Sequence, residues 1–278
     1  MELLNIRKEL IISLREDIPE LVDKFNHFVL IPFPSKKNYV MNMKFNKATE
    51  RFPKEMVLKL FLTENADKER DTLIMLKKKG ITVPEILYYK KPYLILEKAD
   101  GVNLCDYINH KLKKVTDLDD LDKELKDSIL KSVEKLAEWI ADFHKKNIIS
   151  KRSTNGQQVL NKGDTRIRDF IYDPLNEKIT GVDFEEVYEG NHTDDLAWIS
   201  CAILDTKPGI FEMNDPKPKT DLINYFLEKY YTFNPDFEFK FNYFAELLIE
   251  DLNIVMERRN LDMSLNKSNF IKDLSKDL

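Results

Sequence analysis

The sequence predicts an α+β protein with a sheet-rich N-terminal lobe and a mainly helical C-terminal lobe. Short apolar runs bounded by turn residues recur up to Glu97, which is typical of strands in an antiparallel sheet. Beyond Gly101 the apolar residues recur at three- to four-residue spacing, which is typical of amphipathic helices. A chain of 278 residues is long enough to bury a core in each of two lobes.

The N-terminal lobe is predicted to cover residues 1–100. An amphipathic helix opens it over about residues 3–24. A second helix spans residues 67–79 and ends at Gly80, a residue common just after helices. Apolar runs separated by turns predict the strands of one antiparallel sheet: residues 28–33, 39–45, 56–62, 86–89 and 93–97.

The C-terminal lobe is predicted to cover residues 101–278. Its main element is a long helix over about residues 119–147, along which apolar residues form one stripe. The remaining predicted elements are two short strands, residues 170–172 and 179–182, and three helices, about residues 194–204, 220–231 and 241–259. Residues 149–160, with the turn-like Ser153 to Gly156, are predicted to form a loop.

Composition limits the classes of partner and the location. Lys+Arg 44 against Asp+Glu 49 gives a net charge of −5, which predicts no binding to nucleic acid or to an anionic membrane. Cys105 and Cys201 are far apart and have no metal-type spacing, so no disulfide framework or zinc site is indicated. No apolar signal core and no membrane-spanning run is recognisable, so a cytoplasmic location is expected.

Lys59 and Glu69 form the first pair that suggests chemistry. A lysine in the middle of a strand places its ammonium group on one face of the sheet, and a carboxylate on the next helix can orient it toward a polyanion. Such a pair suits nucleotide phosphates. The alternative is that both are solvated surface charges, which is the commoner situation for Lys and Glu.

The strongest signal lies in two acidic loops, at residues 162–172 and 179–185, on either side of a short predicted hairpin. Their carboxylates, which include Asp164, Asp169 and Asp183, can come together around magnesium, with one left to orient a hydroxyl acceptor. The alternative is a pair of solvated acidic loops.

In their order and separation, these segments resemble the aminoglycoside phosphotransferase-like kinases, which are small-molecule kinases of the protein kinase-like superfamily. Lys162-Gly163-Asp164 followed by Asp169 is similar to the HGD-x4-N catalytic loop of that family, and Val182-Asp183-Phe184-Glu185 is similar to its metal loop. Three further segments match: Glu69-x3-Leu73-x2-Leu76-x3-Gly80, the hinge-like residues 94–101, and Asp195-Leu196-Ala197.

The resemblance implies a bilobal kinase-like fold and an ATP- and Mg²⁺-dependent transfer of the γ-phosphate to a hydroxyl of a small molecule. By position, Asp164 would be the catalytic carboxylate, Asp183 the principal metal ligand and Asp169 the second metal ligand. Asp195 would have a structural role. The nucleotide-binding residues implied in the same way are Lys59 with Glu69 at the phosphates, and the hinge backbone of Glu97, Lys98 and Ala99 at the adenine.

Four features depart from the family pattern. The loop with Lys36 and Lys37 lacks the glycine that lets backbone amides approach phosphates, and these lysines are predicted either to compensate by direct charge or to lie in a surface turn. Lys162 stands where relatives often carry His. Residues 149–160 are either a substrate-contacting insertion or a passive loop. Asp169 replaces Asn, which keeps an oxygen ligand but adds negative charge.

Two other functions stay open, an atypical protein kinase and a catalytically inactive module that binds a nucleotide or a protein partner. The short distance from Asp183 to Asp195, without an Ala-Pro-Glu segment, disfavours a eukaryotic-type protein kinase. The glycine-free loop and Asp169 favour the inactive module modestly. The acceptor is not identified by the sequence. Acidic residues beyond about residue 205, such as Asp251, could attract a cationic substrate, but solvated helix faces explain them at least as well.

Overall fold

The computed structural model describes residues 2–18, 28–35, 37–112, 115, 117–153, 156–207, 209–210, 216–261 and 273–274. The chain divides into two compact units. The first consists of Met1–Lys78 with Val83–Ala99, and the second of Lys79–Thr82 with Asp100–Leu278. We refer to them as the N-terminal and C-terminal units.

The N-terminal unit contains one five-stranded antiparallel sheet and two helices. The strands are β1 (Phe28–Pro32), β2 (Tyr39–Phe45), β3 (Glu55–Leu60), β4 (Ile86–Lys90) and β5 (Tyr93–Glu97). They follow the order β1-β2-β3-β5-β4, so β3 is the central strand. The helices are α1 (Glu2–Asp17) and α2 (Ala66–Lys78). The described part of the predicted helix 3–24 thus ends at Asp17, and residues 19–27 lie outside the described residues.

One face of this sheet carries the core of the unit. Met43, Met56 and Leu58 are fully buried there, and Leu14 of α1 packs into the same cluster. Apolar side chains at alternating strand positions point to one face of a sheet, which explains why Met41, Met43 and Phe45 lie in the cluster together. This packing fixes β3 and therefore the position of any side chain that it presents.

The C-terminal unit is mainly helical but contains more strands than the sequence predicts. Its helices are α3 (Leu104–Lys111), α4 (Lys123–Lys146), α5 (His192–Asp205), α6 (Lys217–Phe233) and α7 (Phe241–Arg258). Its strands are β6 (Val102–Asn103), β7 (Ile148–Ser153), β8 (Gly156–Asn161), β9 (Phe170–Asp173), β10 (Lys178–Gly181) and β11 (Tyr188–Asn191). Short 3-10 helices occupy Leu118–Asp120 and Ile167–Asp169.

The prediction that residues 149–160 form a loop is wrong. They form most of the antiparallel hairpin β7–β8, and β8 also pairs with β11 to make a three-stranded sheet in the order β11-β8-β7. The pairing of β7 with β8 contains register shifts, so the two-residue alternation of an ordinary strand is disturbed. Val159 of β8 is fully buried, which anchors the end of the hairpin that leads into the loop after Asn161.

None of the helices in the described part of the chain has both the length and the apolar character that a bilayer-spanning segment needs.

Candidate active site

Lys59 lies in the middle of the central strand β3, opposite Val40 of β2 and Leu94 of β5. Its Nζ is 2.6 Å from Oε2 of Glu69, which lies in the first turn of α2. Both side chains are buried, with 6% of Lys59 and 1% of Glu69 exposed. The surface-charge alternative is therefore wrong, because a buried, hydrogen-bonded ion pair forms here. The role of this pair toward a nucleotide stays a prediction.

Of the predicted hinge residues, Glu97 is the last residue of β5, and Lys98 and Ala99 follow it. The Glu97 N–H donates to the carbonyl of Glu85 at 2.8 Å, which holds the end of the strand. The Lys98 ammonium contacts the Glu55 carboxylate, and hydrogen bonds from Lys44 and Lys98 lower the pKa of Glu55 to about 2. Ala99 is the last residue of the N-terminal unit. The adenine-binding role of this segment stays a prediction.

The predicted phosphate loop is only partly covered, because Lys36 lies outside the described residues. Lys37 is exposed. The neighbouring Asn38 is buried and accepts a hydrogen bond from the N–H of Leu62 at 3.1 Å, which ties the end of this loop to the residue beyond β3. The proposed contact of either lysine with a phosphate stays a prediction.

In the C-terminal unit, the loop after β8 turns sharply at Gly163 and Asp164. Their φ angles are +74° and +40°, so both lie in the left-handed region. A Cβ atom at Gly163 would come within 2.3 Å of the carbonyl oxygen of Glu186, which only glycine avoids. Asp164 lacks this freedom, and a non-glycine residue in the left-handed region costs about 1–3 kcal/mol unless its surroundings hold it there.

The buried carboxylate of Asp195 holds this turn. It accepts hydrogen bonds from the backbone N–H of Lys162 at 2.7 Å, the N–H of Gly163 at 3.2 Å and the hydroxyl of Thr165, and its other contact is Nε2 of His144 at 3.1 Å. Burial raises the pKa of Asp195, but the hydrogen bonds, first that from His144, outweigh it and leave the pKa below its ordinary value. We call this arrangement the Asp195 clamp.

The Asp164 carboxylate is 24% exposed and faces two guanidinium groups. Nε of Arg166 is 3.2 Å from Oδ1 and its Nη2 is 3.0 Å from Oδ2, and Nη1 of Arg258 on α7 is 3.4 Å from Oδ1. The first contact is a bidentate arrangement that fixes the plane of the carboxylate. Neither arginine has a role predicted from the sequence, and Arg258 is 94 residues from Asp164 along the chain.

Asp183 follows the hairpin β9–β10 and is the second candidate site residue with a left-handed backbone, at φ +66°. Its side chain is exposed, while its backbone carbonyl accepts a hydrogen bond from Nζ of Lys162 at 2.9 Å. The N–H of Val182 donates to the carbonyl of Asp169 at 2.9 Å, which joins the metal-like loop to the catalytic-like loop. An exposed carboxylate on a fixed loop fits an oxygen ligand of a divalent cation.

Asp169 lies at the end of the 3-10 helix Ile167–Asp169. Its Oδ2 accepts the backbone N–H of Arg166 at 3.1 Å and lies 3.4 Å from Nζ of Lys162. Burial raises the pKa of Asp169, while the Lys162 ammonium group acts in the opposite direction. The oxygen expected to bind a second metal therefore already contacts a cation and a backbone donor.

A further cluster of acidic and aromatic residues lies on α5 and α7, and we call it the α5–α7 face. Asp194 and Trp198 are four residues apart on α5, and Asp251 and Arg258 are seven apart on α7, so each pair shares one side of its helix. Arg258 joins the two helices, since its guanidinium lies 5.8 Å from the Trp198 ring centroid. Arg258 also reaches Asp164, so this face adjoins the candidate catalytic carboxylate.

Asp194 and Asp251 differ in their partners. Asp194 accepts hydrogen bonds from the hydroxyls of Tyr188 at 3.0 Å and Tyr243 at 3.3 Å. Asp251 is only 7% exposed and forms no hydrogen bond or ion pair with any residue in the described part of the chain. Burial, followed by the repulsion of Asp194 and other nearby carboxylates, raises the pKa of Asp251 to about 8, although the charge of Arg258 acts in the opposite direction. A buried carboxyl group without a partner favours a cationic ligand.

The sequence matches no family model, and no curated protein matches it. Solved structures do match. A glucosamine kinase shares 13% identity over 84% of this chain and 77% of its own, with a TM-score of 0.54. An aminoglycoside-3'-phosphotransferase of type VIII shares 16% over 86% and 98%, with a TM-score of 0.50. An amicoumacin kinase complex with AMP-PNP and Ca²⁺ shares 13% over 86% and 84%, with a TM-score of 0.49.

The similarity to the glucosamine kinase and to the aminoglycoside phosphotransferase confirms the predicted fold class. The chain is an α+β protein with the kinase-like fold of small-molecule kinases. At 13–16% identity, this similarity shows the fold alone. The activity, the nucleotide, the metal and the acceptor are inferred from the residues of the site.

Proposed function

We propose that this chain is a phosphotransferase that moves the γ-phosphate of ATP to a hydroxyl group of a small molecule. The observation that supports this proposal best is that Lys162 holds the loops of both Asp164 and Asp183 in place. Both adopt left-handed backbone conformations, and Lys162 contacts both of their loops, since its N–H reaches the Asp195 clamp and its Nζ reaches the Asp183 carbonyl. Strained backbone that is held by several contacts is characteristic of functional sites.

In this proposal, different residues serve catalysis, phosphate binding, metal binding and adenine binding. Asp164 orients the acceptor hydroxyl and takes its proton, with Arg166 fixing the plane of the carboxylate. Lys59, held by Glu69, supplies positive charge to the nucleotide phosphates. A divalent cation held by Asp183 would neutralise phosphate charge when bound. The backbone of residues 97–99 is proposed to bind the adenine.

We also propose that the acceptor carries an ammonium group. The support is the α5–α7 face, where Asp251 is buried without a partner and Asp194 is oriented by two tyrosine hydroxyls. Trp198 adds an aromatic ring, and carboxylates combined with aromatic rings suit organic ammonium groups. Since Arg258 connects this face to Asp164, an amine bound there would have a neighbouring hydroxyl within reach of the catalytic carboxylate.

The test is ATP turnover by the full chain with Mg²⁺ and a panel of small amino alcohols and amino sugars, each paired with the same polyol lacking the amine. We expect some amines, and not their deaminated partners, to accelerate turnover. Asp164→Asn should lower that turnover by at least about 10²-fold and change nucleotide affinity only a few-fold. Asp142→Asn, on α4 with 44% of its side chain exposed, serves as the matched control.

Three results would separate the alternatives. Nucleotide binding without turnover on any of these small acceptors would favour the inactive binding module or the atypical protein kinase. The absence of nucleotide binding would contradict the proposed function. Faster turnover with the deaminated polyols would support phosphotransferase activity but contradict the proposal that the acceptor carries an ammonium group.

A further inference from the structure

Lys162 is a buried cation at the junction of the two acidic loops. Only 1% of its side chain is exposed, and its Nζ lies 2.9 Å from the Asp183 carbonyl oxygen and 3.4 Å from Oδ2 of Asp169. The rings of Phe184 and Phe170 lie 5.4 and 5.9 Å from the same nitrogen. An ammonium group enclosed by aromatic faces and oxygens is held in one place, unlike a surface lysine.

The residues around Asp169 do not fit a second divalent cation. Oδ2 already accepts the Arg166 N–H at 3.1 Å and contacts the Lys162 ammonium group. A Mg²⁺ or Ca²⁺ ion needs carboxylate oxygens at about 2.0–2.6 Å, and an ion bound to Asp169 would lie close to a positive charge that cannot move into solvent.

The two departures in the loop sequence are therefore in contact with each other. Lys162 stands at the position of a His in the family pattern, and Asp169 stands at the position of an Asn. The additional positive and negative charges form one ion pair in the structure. The charge of the Asp169 carboxylate is thus neutralised by Lys162. A solvent-exposed carboxylate would instead attract a metal ion from solution.

We propose that the ammonium group of Lys162 takes the place of one of two divalent cations at the phosphate site, so that the chain binds a single divalent cation with each nucleotide. This inference rests on the proposed nucleotide-binding function. Asp183 is the ligand of the single ion, and Asp169 serves to cap the 3-10 helix and to hold Lys162. Lys162 is in this sense a positioning residue that also supplies a fixed charge.

The experiment counts bound Mn²⁺ by electron paramagnetic resonance, with the full chain saturated by the non-hydrolysable nucleotide AMP-PNP. We expect one Mn²⁺ per bound nucleotide and the spectrum of an isolated ion. Lys162→Met removes the ammonium group and should allow a second ion at Asp169, giving two Mn²⁺ and a spin-coupled spectrum, because paired metals lie about 3.5–4 Å apart. Lys162→Arg keeps the charge and should retain a count of one.

Lys162→Met leaves Asp169 without its charge partner, so thermal unfolding is measured beside the count. If that variant does not fold, Lys162→His is the second variant that removes a permanent cation, and it should also show two ions at pH 8. Two ions on the wild type would overturn the inference, as would a folded Lys162→Met protein that still binds one. If AMP-PNP does not bind the wild type at all, the proposed function fails, and this inference fails with it.

Discussion

At the scale of single residues, Lys59 is the side chain whose burial has the clearest energetic consequence. Lys59→Ala removes the ammonium group and takes away the cation that pairs with the buried Glu69 carboxylate. Breaking a buried pair on one side costs about 3–5 kcal/mol of stability. We therefore expect a lower free energy of unfolding in urea and a substantially weaker affinity for ATP·Mg by titration calorimetry.

The matched control for this prediction is Lys44→Ala. Lys44 lies on the neighbouring strand β2 and pairs with Glu55 at 2.8 Å, but 47% of its side chain is exposed. Exposed pairs contribute about 0–1 kcal/mol, so both stability and nucleotide affinity should change little. The double variant Lys59→Ala/Glu69→Ala should recover part of the stability and none of the affinity. Recovery of affinity would show that Lys59 does not contact the phosphates.

At the scale of elements, the Asp195 clamp connects the start of α5, the end of α4 and the loop after β8. The N–H groups of Lys162 and Gly163 donate to different oxygens of Asp195, and Asp195→Asn replaces one of these oxygens by an NH2 group that cannot accept a hydrogen bond. Hydrogen bonds to charged groups contribute about 1.5–3 kcal/mol each, so the variant should lose on the order of 2–3 kcal/mol of stability. Turnover should fall more than nucleotide affinity, because Asp164 lies within the clamped turn.

The control for the clamp is Gly163→Ala, which leaves Asp195 intact but disturbs the same turn through the carbonyl of Glu186. If the clamp serves to hold the turn, the two variants should show the same kinetic defect, a lower turnover with a nearly unchanged Michaelis constant for ATP. A normal turnover rate in a folded Asp195→Asn protein would contradict this role.

At the scale of the whole molecule, two buried carboxyl groups act on stability in opposite directions as pH changes. The folded pKa of Asp195 is lowered, so the unfolded chain takes up that proton first and Asp195 contributes stability that is lost as pH falls below about 5. The pKa of Asp251 in the folded protein is raised to about 8. As pH rises above the ordinary pKa of an Asp carboxyl group, the unfolded chain therefore releases this proton first. Asp251 therefore destabilises the fold increasingly up to about pH 8.

We predict that Asp251→Asn is more stable than the wild type at pH 8 and that the difference disappears toward pH 4. The slope of the difference should not exceed about 1.4 kcal/mol per pH unit. Thermal unfolding from pH 4 to 9 measures it, and Glu250→Gln, at the exposed neighbouring position of α7, is the control. An equal effect of both variants would show that Asp251 is not the responsible group.

A bound amine should reverse part of this destabilisation. An ammonium group beside Asp251 favours the ionised carboxylate, so an amine acceptor should bind more tightly as pH rises toward 8, provided that the amine itself stays protonated. Calorimetry at several pH values, with Asp251→Asn as the reference, measures the effect. If the affinity for the amine changes neither with pH nor with the residue at position 251, Asp251 does not take part in acceptor binding.

The sequence by itself determined the fold class, the five strands of the N-terminal sheet and the main helices of the C-terminal unit. These elements depend on local apolar periodicity, which can be read from neighbouring residues. The order of Lys59, Glu69, Asp164 and Asp183 along the chain also predicted the candidate site. The hairpin β7–β8 was missed because its strand pairing is irregular and its stabilising partner β11 lies about 30 residues further along.

Only the tertiary structure decided which charges meet. Arg258 is far from Asp164 in sequence, and Asp195 reaches the loop after β8 across 30 to 33 residues. Lys162 and Asp169 each read as a separate departure from a motif, and only their contact shows them to be one ion pair. From the sequence, Asp251 is either a solvated helix residue or one that attracts a cation, and only the folded structure shows that it is buried. Burial and charge pairing depend on long-range packing, which local periodicity does not encode.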